Sequence, residues 1–229
     1  ASAGDTIKIA AGEYKTGTTA VKLGEIDSLT RVVVGKRLHL EGAGRGKTVV
    51  LGADATVNPD EDGLGDDAVR CLYLTADAAN SLIEGITFKG GRTVNLDTNQ
   101  VTSTGNIWAP LDGTDTPPNK LAMTGANLAS IGGGVLYAVQ APSYSETTYQ
   151  TVWFVDCQFV DCRAGFSGGA AYGRVTLIRT LVNNSWAQAC HGGVLNNVHA
   201  AYNSIFAGNC NIGSYAGMVN TVHGENNGS

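Results

Sequence analysis

A repeat of 23 to 24 residues in the C-terminal third constrains the fold of this 229-residue chain more than any other feature. Apolar, small and glycine residues recur at this interval in four columns: Val152, Val175 and Val198; Phe159, Val182 and Ile205; Ala164, Ala187 and Cys210; Gly169, Gly193 and Gly217. One such repeat is too short to form its own core, so neighbouring repeats must stack to bury the apolar side chains. Each repeat is therefore predicted to be a coil of strand, small-residue turn, second strand and glycine turn.

The pattern within each coil is that of β-strands. In Val152-Trp153-Phe154, apolar side chains at alternate positions place two residues on one face of a strand. A helical period of 3.6 residues is absent, and 31 glycines with only 5 prolines suit a fold with many tight turns. The same alternation predicts upstream strands, at 31–34, 38–40, 48–51, 83–88 and 135–137.

Two N-terminal segments resemble the first coils of the pectate-lyase-like superfamily, namely GDTIKIAAGEY at 4–14 and KRLHLEGAGRGKTVVLG at 36–52. Later repeats, such as Ser167-Gly168-Gly169-Ala170, resemble those of polymorphic outer-membrane, autotransporter-like proteins. The resemblance implies an all-β, single-stranded right-handed parallel β-helix, or solenoid, that forms one domain over residues 1–229. The superfamily contains lyases, esterases, hydrolases and adhesins, so the resemblance implies a fold more than an activity.

Three segments interrupt the repeat, near 55–67, 92–129 and 141–150. Insertions on repeat scaffolds commonly carry the binding residues. The first insertion places four aspartates around two glycines: Asp60, Asp62, Asp66 and Asp67. Calcium binds several carboxylate oxygens in a sharply bent loop, so a calcium site is one prediction, although the spacing lacks the further ligands of an EF-hand. A solvated acidic loop is the alternative.

The other two insertions contain aromatic residues that could bind a glycan. Trp108, Tyr144 and Tyr149 are the candidates, because aromatic rings pack against the apolar faces of pyranose sugars. The alternatives are that Trp108 fixes its loop to the body of the protein and that the tyrosines lie in surface turns.

Catalytic candidates are sparse. If the chain is an enzyme, the residues are Asp156, Asp161, Arg163 and Arg179, since polysaccharide lyases of this fold use a basic residue beside calcium-binding acids. Paired acids would suit glycoside hydrolysis. Ordinary outward-facing polar residues are the alternative, and no G-x-S-x-G, P-loop or H-E-x-x-H motif occurs.

Two functions follow as hypotheses. The first is a secreted or cell-surface, extracellular module, adhesin-like or structural, whose loops bind a polysaccharide, a surface glycan or a protein. The second is a carbohydrate-active enzyme, either a polysaccharide lyase or a glycoside hydrolase, acting on an acidic polysaccharide. A net charge of −5 without a basic stripe argues against nucleic acid as a partner. The apolar runs are too short for a transmembrane segment.

Five cysteines and the C-terminal end complete the sequence-based expectations. The cysteines contain no CxxC pair, which argues against zinc: Cys71, Cys157, Cys162, Cys190 and Cys210. They are either buried small apolar residues or partners in one or two disulfides between neighbouring coils, which would require an oxidising compartment.

The last segment, from residue 222, begins like the previous coil. We expect that the chain is one piece of a longer protein, or that a protein partner or a further chain packs on this uncapped C-terminal end.

Overall fold

The computed structural model describes residues 1–23, 26–95, 129–137, 150–188, 194–211 and 219–221. The elements bounded within these residues are short β-strands and one 3-10 turn, Ala76–Ala78. The strands, in chain order, are β1 (Thr6–Ile9), β2 (Gly12–Tyr14), β3 (Thr19–Leu23), β4 (Ile26–Val34), β5 (His39–Gly42), β6 (Thr48–Leu51), β7 (Val69–Leu74), β8 (Leu82–Glu84), β9 (Ile86–Lys89), β10 (Val135–Tyr137), β11 (Val152–Val155), β12 (Gln158–Val160), β13 (Arg163–Ala164), β14 (Ala171–Tyr172), β15 (Val175–Ile178), β16 (Leu181–Asn183), β17 (Trp186–Ala187), β18 (Leu195–Val198), β19 (Ala200–Tyr202), β20 (Ile205–Ala207), β21 (Cys210–Asn211) and β22 (Val219–Thr221).

The strands form three long sheets and one short sheet. The first sheet has the order β1-β5-β8-β11-β15-β19, and the second has the order β2-β6-β9-β12-β16-β20. The third runs β3-β4-β7-β10-β14-β18-β22, and the short sheet is β13-β17-β21. Within the described residues, the pairings between these strands are parallel except that of β3 with β4, and an isolated antiparallel bridge joins Ala53 to Val69. The protein is therefore an all-β fold of mostly parallel strands, and its sheet orders are compatible with a solenoid.

Most of the predicted strands are confirmed. The upstream segments correspond to strands β4, β5, β6 and β10 and to the pair β8–β9. Two of the predicted columns are also paired as expected, because Val152 faces Val175 and Phe159 faces Val182 in neighbouring parallel strands.

The third coil differs from the prediction by one residue. Val182 faces Phe206, whereas Ile205 was predicted at that position. Side chains alternate between the two faces of a strand, so a slip of one residue reverses their direction. Phe206 accordingly packs against the core, and Ile205 is 64% exposed.

The other predicted columns show where the extra residue enters. Ala164 pairs with Ala187, at an interval of 23, but Ala171 pairs with Leu195, at an interval of 24. The additional residue therefore lies in the sequence between β17 and β18, and the strands β18 to β21 pair at an interval of 24 residues. Asn211 replaces Cys210 opposite Ala187. The first column, that of Val152 and Val175, also loses Val198, which lies in β18 of the third sheet and not opposite Val175.

Inward-facing side chains form continuous rows through the stacked strands. In the second sheet the row contains Val50, Phe88, Phe159 and Val182, all buried. The rings of Phe88 and Phe159 are stacked, with centroids 5.3 Å apart. Burial of one such side chain contributes roughly 1.5–3 kcal/mol, so the stacking of neighbouring strands supplies the main stabilisation.

Two turns place residues in the left-handed region, coil after coil. After the first sheet the residues are Gly85, Asp156, Arg179 and Asn203, with φ between 49° and 64°. After the second sheet they are Gly90, Asp161, Asn184 and Gly208, with φ between 50° and 65°. A non-glycine residue in this region costs roughly 1–2 kcal/mol, and this cost is offset by main-chain bonds to the next coil. The amide of Asp156, for example, donates to the carbonyl of Ile178.

The predicted insertion near 55–67 lies in the irregular segment between β6 and β7. Most of the two predicted insertions near 92–129 and 141–150 lies outside the described residues. Within the residues that are described, no helix is both long enough and apolar enough to cross a membrane.

Candidate functional site

A group of carboxylates and guanidiniums joins the segment between β6 and β7 to the second left-handed turn. We call these residues the acid–arginine cluster: Asp54, Asp60, Asp62, Arg92, Asp161 and Arg163. Three separate stretches of chain contribute to it, so it forms only when the coils stack. Four carboxylates and two guanidiniums give the cluster a formal charge of −2.

Arg92 is the buried centre of this cluster. Its side chain is only 5% exposed, and it follows β9 at the turn into the next part of the coil. Nη2 donates to Oδ2 of Asp161 at 2.9 Å, Nη1 donates to the main-chain carbonyl of Asp161, and Nε lies 2.8 Å from Oδ1 of Asp54. A buried charge is costly unless it is paired, so these two carboxylates determine whether the guanidinium is tolerated.

Arg163 forms the half-buried outer part of the cluster. Its Nε and Nη2 donate to Oδ1 of Asp161 at 3.1 and 3.0 Å, and its Nη1 donates to Oδ1 of Asp62 at 3.2 Å. The guanidinium carbon also lies 5.4 Å from the ring centroid of Trp186. The cation–π contact and the two ion pairs hold this side chain in one orientation.

Trp186 and Gln188 extend the cluster along the short sheet. Trp186 is the residue that pairs with Arg163 in the parallel register of β13 and β17. Gln188 donates from Nε2 to Oδ2 of Asp60 at 2.8 Å. An aromatic ring, an amide, a guanidinium and several carboxylates therefore share one partly exposed surface, which we call the Trp186 surface.

Sequence reasoning identified Asp60, Asp62, Asp161 and Arg163 but assigned them to two different sites. It missed other members of this surface: Asp54, Arg92, Trp186 and Gln188. A signal for Trp186 was present, because it follows Arg163 by the 23-residue interval of the repeat. No comparable signal exists for Arg92 and Asp54, whose contacts depend on how the irregular segment folds back.

The four aspartates predicted to bind calcium are all engaged in hydrogen bonds. Asp60 accepts from the amides of Asp62 and Leu64, and Asp62 accepts from Arg163. Asp66 accepts from the side chain of Asn58. Within the described residues, no group of three or more His, Cys, Asp or Glu side chains is arranged to hold a metal ion. Calcium binding remains a prediction.

Asp67 closes the irregular segment. Its two carboxylate oxygens accept hydrogen bonds from the amide and hydroxyl of Thr56 and from the amide of Val57. The hydrogen bond from the Thr56 hydroxyl is the main reason that the pKa of Asp67 lies below its usual value. This carboxylate therefore stabilises the loop conformation.

The predicted catalytic residues form two separate pairs. Asp156 and Arg179 make a bidentate ion pair at the first left-handed turn, with distances of 2.9 and 2.6 Å. The Arg179 guanidinium lowers the pKa of Asp156. Asp161 and Arg163 form the second pair at the opposite end of β12. Asp156 and Asp161 therefore belong to separate ion pairs at the two ends of β12.

The predicted glycan-binding residues lie outside the described residues: Trp108, Tyr144 and Tyr149. Their role in binding remains a prediction.

Comparison of the chain with protein-family models, with curated proteins and with solved structures gives no match in any of the three. The resemblance to pectate-lyase-like proteins remains a prediction from the sequence.

Proposed function

We propose that the chain is a right-handed parallel β-helix module of a secreted or cell-surface protein and that it binds a glycan on the Trp186 surface. Three observations support the β-helix. Strands one coil apart pair in parallel, left-handed residues recur at the same turns in successive coils, and the first coils resemble those of pectate-lyase-like proteins. The extracellular location rests on the same resemblance to surface and secreted proteins.

The observation that carries the proposal is the contact between Arg163 and Trp186. Sugar sites combine an aromatic ring, which packs on the apolar face of a pyranose, with a few fixed polar groups that bind its hydroxyls. The ring lies on a short strand, and its polar neighbours are already held by hydrogen bonds within the protein. Groups fixed before the ligand arrives lose little conformational entropy on binding, which favours affinity.

The charge of the acid–arginine cluster selects among glycans. Four carboxylates surround two arginines, so the local charge is negative and would repel a uronic-acid polymer. We infer that the ligand is a neutral or amino-sugar glycan. This favours the binding module over an enzyme that acts on an acidic polysaccharide.

The test is binding to a panel of neutral, amino-sugar and uronic-acid oligosaccharides, followed by calorimetry on the best ligand. We expect Trp186→Ala to weaken binding at least tenfold, with partial recovery in Trp186→Phe. Trp153→Ala is the matched control, since Trp153 is also a half-buried tryptophan on a strand but belongs to the first sheet. Equal loss in both alanine variants, or no binding by the intact chain, would contradict the proposal.

The enzyme hypothesis has one specific observation in its favour. Arg163, a candidate base, contacts Asp62 in the acidic segment, as a lyase that uses a basic residue beside acids would require. An ultraviolet assay for unsaturated product on uronic-acid polymers, with and without calcium, distinguishes the two functions. Product that disappears in Arg163→Ala but persists in Arg179→Ala would favour the lyase over the binding module.

A further inference from the structure

Two of the buried cysteines, Cys71 and Cys162, lie close together in the core. Cys71 lies on β7 of the third sheet, and Cys162 lies in the turn between β12 and β13. The sulfur of Cys71 contacts the carbonyl oxygen of Lys89 at 3.5 Å, and that of Cys162 contacts the carbonyl oxygen of Phe88 at 3.6 Å. Both sulfurs therefore lie against consecutive residues of β9. A Cβ built on Gly134 would lie 3.0 Å from the sulfur of Cys162, and Gly134 lies beside Cys71 because the next residues, Val135 and Leu72, are paired in register.

A third cysteine provides a natural comparison. Cys157 is equally buried, but its sulfur contacts the carbonyl oxygens of Ile83 and Val155 at the preceding turn. It therefore has the burial of the other two cysteines but lies at the turn that precedes β12.

The folded environment makes these thiols slow to react. Burial raises the pKa of Cys71, and it raises the pKa of Cys157 to about 12. The pKa of Cys162 is lowered instead, because its contacts with Cys71 and with the main chain of Gly91 outweigh the effect of burial. All three side chains are fully buried, so an external oxidant cannot reach the sulfurs without local opening. Any disulfide must then form mainly while the coils are still closing during folding.

We propose that Cys71 and Cys162 form a disulfide when the chain folds in the presence of a small-molecule disulfide such as oxidised glutathione. One cysteine thiolate attacks the glutathione disulfide, which releases one glutathione thiolate and leaves a mixed disulfide. The second cysteine thiolate then attacks the protein sulfur of that mixed disulfide and releases the second glutathione. The two protein thiol protons pass to the two released glutathione thiolates, so two thiols are oxidised and one disulfide is reduced.

The disulfide would join β7 to the turn that precedes β13. It would close a loop that contains the whole chain between residues 71 and 162. A loop of this length is strongly restricted in the unfolded chain, which stabilises the folded state in the chain-entropy description. We expect the oxidised protein to unfold roughly 10 °C above the reduced protein.

The experiment refolds the full chain from denaturant, once with reduced glutathione alone and once with a mixture of oxidised and reduced glutathione. Cys190 and Cys210 are first replaced by alanine so that only the three cysteines compared above remain. Free thiols are alkylated under denaturing conditions, and non-reducing peptide mapping locates the cross-link. We expect a linked peptide pair containing Cys71 and Cys162 after oxidative refolding, with Cys157 fully alkylated.

Two further variants separate the disulfide from general effects of oxidation. Cys71→Ala should abolish the linked peptide and the rise in melting temperature, whereas Cys157→Ala should retain both. The peptide map of the parent protein needs no folded variant, so poor folding of Cys71→Ala does not weaken the test. Cys71 and Cys162 that both remain alkylated after oxidative refolding, or a cross-link to Cys157, would overturn the proposal.

Discussion

A single buried arginine illustrates how strongly individual residues determine this fold. Arg70 is fully buried, and burial lowers its pKa to about 10. Its guanidinium donates to the carbonyls of Ala129, Ile131 and Gly132 and to the hydroxyl of Ser28, at 2.7 to 3.1 Å. The hydrogen bonds to neutral oxygens thus replace a carboxylate partner, and they fix the segment that leads into β10.

We expect Arg70→Leu to lower the free energy of unfolding by about 3 kcal/mol or more, because several buried carbonyls would lose their donor. Arg31→Leu is the control, since Arg31 also donates to two carbonyls, those of Leu51 and Gly17, but at a less buried position. Its loss should be about 1 kcal/mol. Urea denaturation measures both. Equal losses in free energy of unfolding would indicate that the buried hydrogen bonds of Arg70 stabilise the protein no more than the less buried ones of Arg31.

The pair of Asp156 and Arg179 predicts a dependence on pH. The pKa of Asp156 in the folded protein is lowered from 3.8 by the Arg179 guanidinium. The ion pair therefore stabilises the folded protein above pH 3.8, and this contribution is lost as the pH falls through the lower pKa of the folded state. Arg179→Asn keeps a residue type that tolerates the left-handed turn, as Asn203 does in the next coil. We expect the pKa of Asp156 to rise towards 3.8 in this variant, as measured by carbon NMR titration. The pKa of Asp67, which is lowered by Thr56, should not move.

At the scale of the elements, the close approach of neighbouring coils requires glycine at particular turns. A Cβ on Gly169 would collide with the main-chain carbonyl of Trp186, and main chain cannot rotate away as a side chain can. Gly35 precedes the turn to β5 and has open space around a built Cβ. A comparison of alanine substitutions at these two positions therefore separates the cost of the steric collision from the general effect of replacing a glycine.

We expect Gly169→Ala to lower the melting temperature by at least about 5 °C, because the main chain at residue 169 and that of Trp186 in β17 would have to move apart. Gly35→Ala should change it by no more than about 2 °C, since alanine there mainly restricts the unfolded chain. Differential scanning calorimetry on both variants checks the contrast. A similar shift in both would mean that the collision at Gly169 is relieved at little cost.

Elements with a strong alternating pattern could be predicted from the sequence, and the connections between them could not. Strands such as β6 and β9 follow directly from their apolar periodicity. The partners of Arg92, in contrast, depend on an irregular segment whose path is set by individual hydrogen bonds such as those of Asp67. The 23-residue interval therefore connects Trp186 to Arg163, whereas the contact of Arg92 with Asp54 could be found only in the folded structure.

At the scale of the whole molecule, the register of stacked coils depends on the residue count of every turn. One extra residue between β17 and β18 exchanges the roles of two neighbouring side chains in β20. In the earlier coils the sequence interval alone predicted the inward residue correctly, as it did for Phe159 and Val182. Regular spacing therefore predicts the core of a stacked fold only as far as the first turn that changes length.

The register can be tested directly with two substitutions in β20. Phe206 packs against the core, and Ile205 is exposed, so Phe206→Ala should lower the free energy of unfolding by about 2 kcal/mol and Ile205→Ala by less than about 0.5 kcal/mol. Phe159→Ala, in a row with stacked neighbours on both sides, should cost about 3–5 kcal/mol. Chemical denaturation, together with hydrogen exchange of the amides in the second sheet, measures the series. A larger loss for Ile205→Ala than for Phe206→Ala would restore the 23-residue register and reverse the assignment of faces in the last coil.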